Sequence, residues 1–221
     1  MTNYNQMIDH TYLKADATIE DINKLLAEAV KFQFKTVCVN ASWVPYAKTK
    51  LANTGVGITC VVGFPLGATL PQVKAFEAAE AIEAGASEID MVINIGKLKD
   101  GDYSYVLEDI KTVKAAMPNN ILKVIVETAL LNKSEIEKVT QIVIDSGAEF
   151  IKTSTGFASR GASLEDIKIM KAIAGEKIQI KAAGGISNKD DMIKMIDAGA
   201  NRFGTSRSIA IIKGKSSNEG Y

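Results

Sequence analysis

Short runs of β-branched and aliphatic residues alternate along this chain with longer stretches whose apolar positions recur every three to four residues. The short runs have the pattern of strands buried on both faces, and the longer ones of helices laying one face on a core. Residues 7–10 predict a first strand, and Thr18 caps a helix with Leu25, Leu26 and Ala29 on one face. Residues 36–40 predict a second strand, and Ser42 opens a helix to about Asn53. A third strand over 56–62 closes on Gly63-Phe64-Pro65-Leu66-Gly67, and Thr69 caps a long helix through Ala84. The second half repeats this grammar. Strands are predicted over 88–93, 121–126, 150–152, 177–182 and at Arg202-Phe203. Helices lie between them, from Tyr103 to Ala116, from near Ser134, from Ser163 and from a cap at Asn188, with a short last one from about Ser206.

Three junctions share one design: Ala84-Gly85-Ala86, Ser146-Gly147-Ala148 and Ala198-Gly199-Ala200. In each, glycine ends a helix in a conformation other residues resist, an alanine follows, and a strand begins after a minimal loop. Eight strands with a helix after each predict an α/β chain folded as a single-domain (β/α)8 TIM barrel. An open doubly wound sheet would call for a glycine-rich turn after the first strand, and there is none. The barrel is assigned to residues 1–212, with 213–221 a polar, flexible C-terminal tail.

Composition narrows the function classes. Of the 221 residues 26 are basic and 26 acidic, so no net charge or basic stripe points to nucleic acid. No apolar run is long enough to span a bilayer, which argues against a membrane partner. Cys38 and Cys60 each sit in an apolar run and read as reduced thiols of a cytoplasmic protein, not as a disulfide framework. With one histidine and two separated cysteines, no metal cluster is expected, and no cofactor either. His10 alone cannot sustain a serine or cysteine triad, and it reads as a hydrogen-bonded structural residue.

Chemistry in such barrels gathers at the C-terminal ends of the strands. There the chain places Asp9, Asn40, Gly63, Asp90 with Asn94, Glu127, Lys152, Lys181 and Gly204. Lys152 and Lys181 end strands six and seven, so neighbouring strands aim both ammonium groups at one mouth. A strand-end lysine has two readings: an ion pair with an acid such as Asp90 or Glu127, or an amine kept neutral as a nucleophile. Two ammonium groups about 4 Å apart at an effective dielectric near 20 repel by about 4 kcal/mol. That corresponds to roughly three pKa units, so the pair offers a route to a neutral amine near pH 7. Asp90, alone among apolar neighbours, suits an acid/base partner, while Glu127 suits either a salt bridge or direct chemistry. Cys38 reads as packing and not as a nucleophile; with Asp9 and Asn40 it joins the expected substrate-contacting set.

Glycines follow strands six, seven and eight. Thr155-Gly156, Gly184-Gly185 and Gly204-Thr205-Ser206 let backbone N–H groups approach an anion at the corner where these barrels hold phosphate. Arg207 adds a charge there or faces solvent.

These residues carry a resemblance. Ile8-Asp9-His10-Thr11, Val37-Cys38-Val39-Asn40, the run from Glu88 to Gly96, the run from Phe150 to Phe157, Ile180-Lys181-Ala182-Ala183-Gly184-Gly185-Ile186 and Arg202-Phe203-Gly204-Thr205-Ser206 resemble the deoxyribose-phosphate aldolases. The resemblance implies a class I aldolase that, without a metal, interconverts 2-deoxyribose 5-phosphate with glyceraldehyde 3-phosphate and acetaldehyde. It implies Lys152 as the imine-forming lysine, Lys181 as the partner that lowers its pKa, and Asp90 as an acid/base acting through water. Some members of the family end in a tyrosine that reaches the site, and this chain ends in Tyr221. Arg207 stands where members often carry a second serine, which bears on how the phosphate is held. The resemblance also implies a homodimer. The competing classes are a phosphosugar isomerase or epimerase using Asp90 and Glu127 without an imine, and a non-catalytic phosphosugar-binding barrel.

Overall fold

A computed structural model of the protein describes residues 3–214. Eight parallel strands form a closed barrel in chain order: β1 (Ile8–Thr11), β2 (Thr36–Val39), β3 (Gly57–Val62), β4 (Glu88–Val92), β5 (Ile121–Ile125), β6 (Phe150–Lys152), β7 (Gln179–Ala183) and β8 (Arg202–Thr205). The β1–β8 pairing, Asp9 opposite Gly204, closes it. The strands are joined by α1 (Ile19–Phe32), α2 (Val44–Leu51), α3 (Pro71–Ala84), α4 (Ile95–Lys99), α5 (Tyr103–Ala116), α6 (Lys133–Ser146), α7 (Leu164–Ala174) and α8 (Lys189–Asp197), and α9 (Ser208–Ile212) follows β8.

The helix starts follow from local chemistry. Thr18 and Asp21 form a reciprocal capping box at α1, and Asn132 and Glu135 form another at α6. Ser163 and Asn188 accept from the third residue of α7 and α8, as their sequence context predicts. Two predicted caps are displaced by proline. Pro71 takes the first position of α3, so the preceding Leu70 is the cap and Thr69 lies outside. Pro45 fits only the first turn of α2, so the α-helix begins at Val44, behind a 3-10 turn over Ala41–Trp43 that contains Ser42. The short α4 has too few residues for a period; its one sequence signal is Asn94, whose side chain caps it from Lys97 N–H. The last helix starts at Ser208, two residues later than predicted.

The junction glycines behave as their repeated context demands. Gly85, Gly147 and Gly199 have φ of +121°, +81° and +118°, which an L side chain resists. The main hydrophobic core is a cylindrical layer between the strands' outward residues and the helices. Ile89 and Met91 of β4, Val124 of β5, Ile151 of β6, Ile180 of β7 and Phe203 of β8 meet Ile22, Ile110, Val139, Ile167 and Met192 there. Fully burying such a side chain stabilises the fold by about 1.5–3 kcal/mol. Cys38 and Cys60 are both buried and unbridged. No helix among the described residues is long and apolar enough to cross a membrane.

Candidate active site

Side chains alternate across a strand, so the residues flanking that apolar layer in sequence point into the barrel. In β4 the outward Ile89 and Met91 leave Glu88 and Asp90 inside; in β7 the outward Ile180 and Ala182 leave Lys181 inside. The lumen therefore receives Asp9 from β1, Thr36 from β2, Thr59 from β3, Lys123 from β5, Lys152 from β6 and Arg202 from β8. All are buried. TIM-barrel interiors are commonly filled with branched apolar residues. This one is filled with charge.

Asp90 is the hub. Its Oδ2 accepts from Lys152 Nζ at 2.7 Å and from Lys181 Nζ at 2.7 Å, and its Oδ1 accepts from Lys123 Nζ at 2.7 Å. Lys181 also donates to Asp9 Oδ2. Asp9 Oδ1 accepts from Arg202 Nε at 2.7 Å and from the Thr36 hydroxyl at 2.8 Å. Arg202 and Lys123 meet at Glu88 Oε2, at 2.6 and 2.7 Å. The strand-end expectation is corrected here. Asp9, Asp90 and Lys181 lie within their strands, below the mouth, and only Lys152 is a strand's last residue.

The two neighbouring lysines have opposite electrostatics. Burial pushes the Lys152 amine below the usual lysine range; Asp90 opposes this, and Lys181 adds to it. Burial also disfavours the Lys181 ammonium, but Asp9 and Asp90 outweigh it and hold this lysine above the usual range. Desolvation is thus the leading cause of the lowered Lys152 pKa, and repulsion from Lys181, expected to carry the effect, is a contributor. For Asp90 burial favours the acid form, yet Lys123, Lys152 and Lys181 outweigh it and keep the carboxyl far below the usual range.

Over the lysines, Cys38 packs with Leu13 and Val61, with Phe64 against them. Burial pushes its thiol pKa up, so it is apolar packing in character. Asn40 donates to the Leu13 carbonyl at 3.4 Å and ties the end of β2 to the loop after β1. His10 bridges Ser208 Oγ and Glu28 Oε2, each at 2.9 Å, a structural role as its context implied.

Beside the mouth lies a cavity of about 230 Å³ lined by Gly156, Arg160, Gly184, Gly185, Ser206 and Arg207 among others. Gly184 and Gly185 have φ of +67° and +71°; a Cβ on Gly185 would sit 2.5 Å from the Ala162 carbonyl oxygen. Of the residues expected at a phosphate corner, Gly156, Gly184, Gly185, Ser206 and Arg207 line this cavity, and Thr155 and Gly204 do not. Thr155 gives its hydroxyl and its N–H to Glu127 Oε2, so it braces the wall from behind. Gly204 faces the lumen, where a Cβ would lie 3.1 Å from Lys181 Cε; it makes room for that lysine. The five-residue α9 supplies little dipole; the charged side chains that line the cavity are Arg160 and Arg207. Arg207 Nη1 donates to Ser187 Oγ at 3.3 Å. Arg160 is held bidentate by Asp166, at 2.5 and 3.3 Å, and reaches the Thr128 carbonyl at 3.1 Å.

Glu127 has no lysine partner; its other oxygen, Oε1, is buried without a hydrogen bond among the described residues. Sequence reasoning missed Lys123, Glu88 and Arg202. Their signal was alternation: Glu88-Ile89-Asp90-Met91 and Leu122-Lys123-Val124 put charge on the same face of neighbouring strands. Tyr221 lies outside the described residues.

The family model of the DeoC/LacD family aldolases matches residues 4–214. The chain belongs to the DeoC/LacD aldolase family. It is an aldolase, a carbon–carbon lyase. The deoxyribose-phosphate aldolase of Mycoplasmopsis pulmonis is 57% identical over 217 residues, covering 98% of this chain and 99% of that protein. That of Carboxydothermus hydrogenoformans is 51% identical, covering 100% and 98%. Among solved structures, a putative deoxyribose-phosphate aldolase from Coccidioides immitis superposes with a TM-score of 0.94 at 41% identity, covering 96% of this chain and 85% of that one. The aldolase fold thus agrees with the barrel read from the sequence.

Proposed function

We propose that this chain cleaves 2-deoxy-D-ribose 5-phosphate reversibly to D-glyceraldehyde 3-phosphate and acetaldehyde through an imine on Lys152. One observation carries the residue assignment. Lys152 Nζ is buried at the C-terminal end of β6, 2.7 Å from an Asp90 oxygen that Lys181 also holds. Desolvation favours its neutral amine, the form that attacks the substrate's aldehyde carbon. Loss of water from the carbinolamine leaves an iminium, an electron sink for the bond between the second and third carbons. As that bond breaks, the third-carbon hydroxyl loses its proton, glyceraldehyde 3-phosphate departs and an enamine remains. Protonation of the enamine and hydrolysis of the imine release acetaldehyde and restore the amine.

Asp90, kept ionised by its lysines, takes the hydroxyl proton through a water, and Lys181 shares in the return of protons. The cavity of Gly156, Gly184, Gly185, Ser206 and Arg207 receives the phosphate, with charge-assisted contacts from Arg207. An isomerase or epimerase on this barrel would use Glu127 beside Asp90 as a second proton carrier; here Glu127 is strapped to Thr155.

The same reading takes residues 1–212 as one domain with a C-terminal tail, and the enzyme as a cytoplasmic homodimer needing no cofactor. A related deoxyribose phosphate aldolase, from Aeropyrum pernix (29% identity, TM-score 0.87), is described as having a unique tetrameric structure. Borohydride added with acetaldehyde should reduce the imine to an N-ethyl lysine at Lys152, read by peptide mass. A label on another peptide, or no label, sinks the assignment.

A further inference from the structure

The charged lumen closes into a ring. Arg202 Nε donates to Asp9 Oδ1 at 2.7 Å, and Asp9 Oδ2 accepts from Lys181. Lys181 donates to Asp90 Oδ2 at 2.7 Å, and Asp90 Oδ1 accepts from Lys123 at 2.7 Å. Lys123 pairs with Glu88 Oε2 at 2.7 Å, and that oxygen accepts from Arg202 Nη2 at 2.6 Å, which returns the path to its start. Six residues from five strands, β8, β1, β7, β4 and β5, are linked without a break, and the Thr36 and Thr59 hydroxyls of β2 and β3 lie 2.9 Å apart in the remaining gap.

The ring holds three cations, Arg202, Lys181 and Lys123, against three carboxylates, Asp9, Asp90 and Glu88. It is neutral as a unit. Lys152 hangs from it at Asp90 Oδ2, an oxygen already committed to Lys181. The groups facing Lys152 are Asp90 on β4, Lys181 on β7 and the Cys38 thiol on β2; Asp9, Lys123, Glu88 and Arg202 stand behind them. A proton on Lys152 therefore adds an unmatched positive charge to a buried space, and an unmatched buried charge is costly.

We propose that Lys123, Glu88 and Arg202 are positioning residues that set the lumen's charge, so that among the described residues Lys152 is the one lumen cation paired with a single carboxylate, and that one shared. This rests on the reading of Lys152 as the nucleophile. The far side of the ring touches no reacting atom. It fixes how strongly the site resists a proton on the amine, and it turns the Asp90 oxygen toward Lys152. A purely packing role for the same residues would leave the proton affinity of Lys152 where it was.

The two roles separate in a charge-neutralising double-mutant cycle on the full-length enzyme, read by the acid limb of kcat/KM and by borohydride trapping across pH. Glu88→Gln removes a carboxylate and leaves the lumen more positive. The Lys152 amine then loses its proton more readily, and the acid limb moves to lower pH by roughly one unit. Lys123→Met removes a cation, the ammonium is stabilised, and the limb moves to higher pH by roughly one unit. The double variant is neutral again, and its limb returns close to that of the unmodified enzyme. Singles that move the limb the same way or not at all overturn the proposal, as does a double that fails to return. If Lys123→Met does not fold, the double against Glu88→Gln alone decides it: a limb returned toward the unmodified enzyme supports the ring, and an unreturned one overturns it. Trapping on Lys152 with unmoved limbs removes only the ring's role. Absence of a Lys152 adduct in the unmodified enzyme removes the nucleophile assignment itself.

Discussion

The barrel strands bury both faces, and the two faces are made of opposite materials. Outward, Ile89, Met91, Val124, Ile151, Ile180 and Phe203 build an apolar layer against the helices. Inward, one residue away along the same strands, Glu88, Asp90, Lys123, Lys152, Lys181 and Arg202 build an ionic one. The apolar layer gains stability in proportion to the area it removes from water, contact by contact, and no single residue is indispensable. The ionic layer works as a set. Each charge is tolerable only because its partners are present, and removing one strands the others in a medium that solvates them poorly.

The largest break in that comparison is Lys181→Leu. It leaves Asp9 and Asp90 facing one another with fewer cations, and it takes away the ammonium that shares in proton return. Cleavage activity should fall by about 10²–10⁴-fold, and urea unfolding should show a loss of about 3–5 kcal/mol. Activity within a few-fold of the unmodified enzyme would mean that the lumen is not a cooperative set.

Ile89→Ala tests the other face on the same strand as Asp90. Creating a cavity beneath the helices should cost about 2–5 kcal/mol in the same unfolding measurement. Activity per folded molecule should stay within about twofold, because the lumen side of β4 is untouched. A collapse of kcat in the folded protein would show that the two faces are coupled.

A smaller effect separates them by pH. Burial opposes ionisation of Asp9, but Lys181, Lys123 and Arg202 outweigh it and hold the carboxyl well below its usual range; Asp90 is held low in the same manner. A depressed folded pKa stabilises the protein above the unfolded value, about 3.9, and that contribution is lost as pH falls from there toward the folded one. Thermal unfolding followed from about pH 5 downward should show Tm falling below about pH 4, and Asp9→Asn should flatten the fall. The apolar layer titrates nothing, so Ile89→Ala should lower the whole curve without changing its shape. A similar flattening in Ile89→Ala would undo the distinction.

Much of this protein was legible before any coordinates. Element type, strand order and the single closed sheet follow from period, glycine stops and caps, because these are local properties of the chain. Lys152, Lys181 and Asp90 stood out because charge inside an apolar run is costly unless something answers it. Lys123, Glu88 and Arg202 did not stand out, though their pattern was the same. In β4 an alternation of charged and apolar residues has two meanings, a half-exposed strand or a strand facing a polar interior, and a single strand cannot distinguish them. Closure of the sheet distinguishes them, because it gives every strand an inside.

The sequence by itself determined which residues carry charge and on which strand face each one lies. Only the tertiary structure decided which charges meet. The pairing of Lys152 with an oxygen already held by Lys181, the placement of Gly204 beside that lysine, and the withdrawal of Thr155 to brace Glu127 all join residues from different strands and loops. The physical reason is range. Propensity and capping act over a few residues, whereas Coulomb attraction and desolvation depend on distances in space that exist only once the barrel has closed.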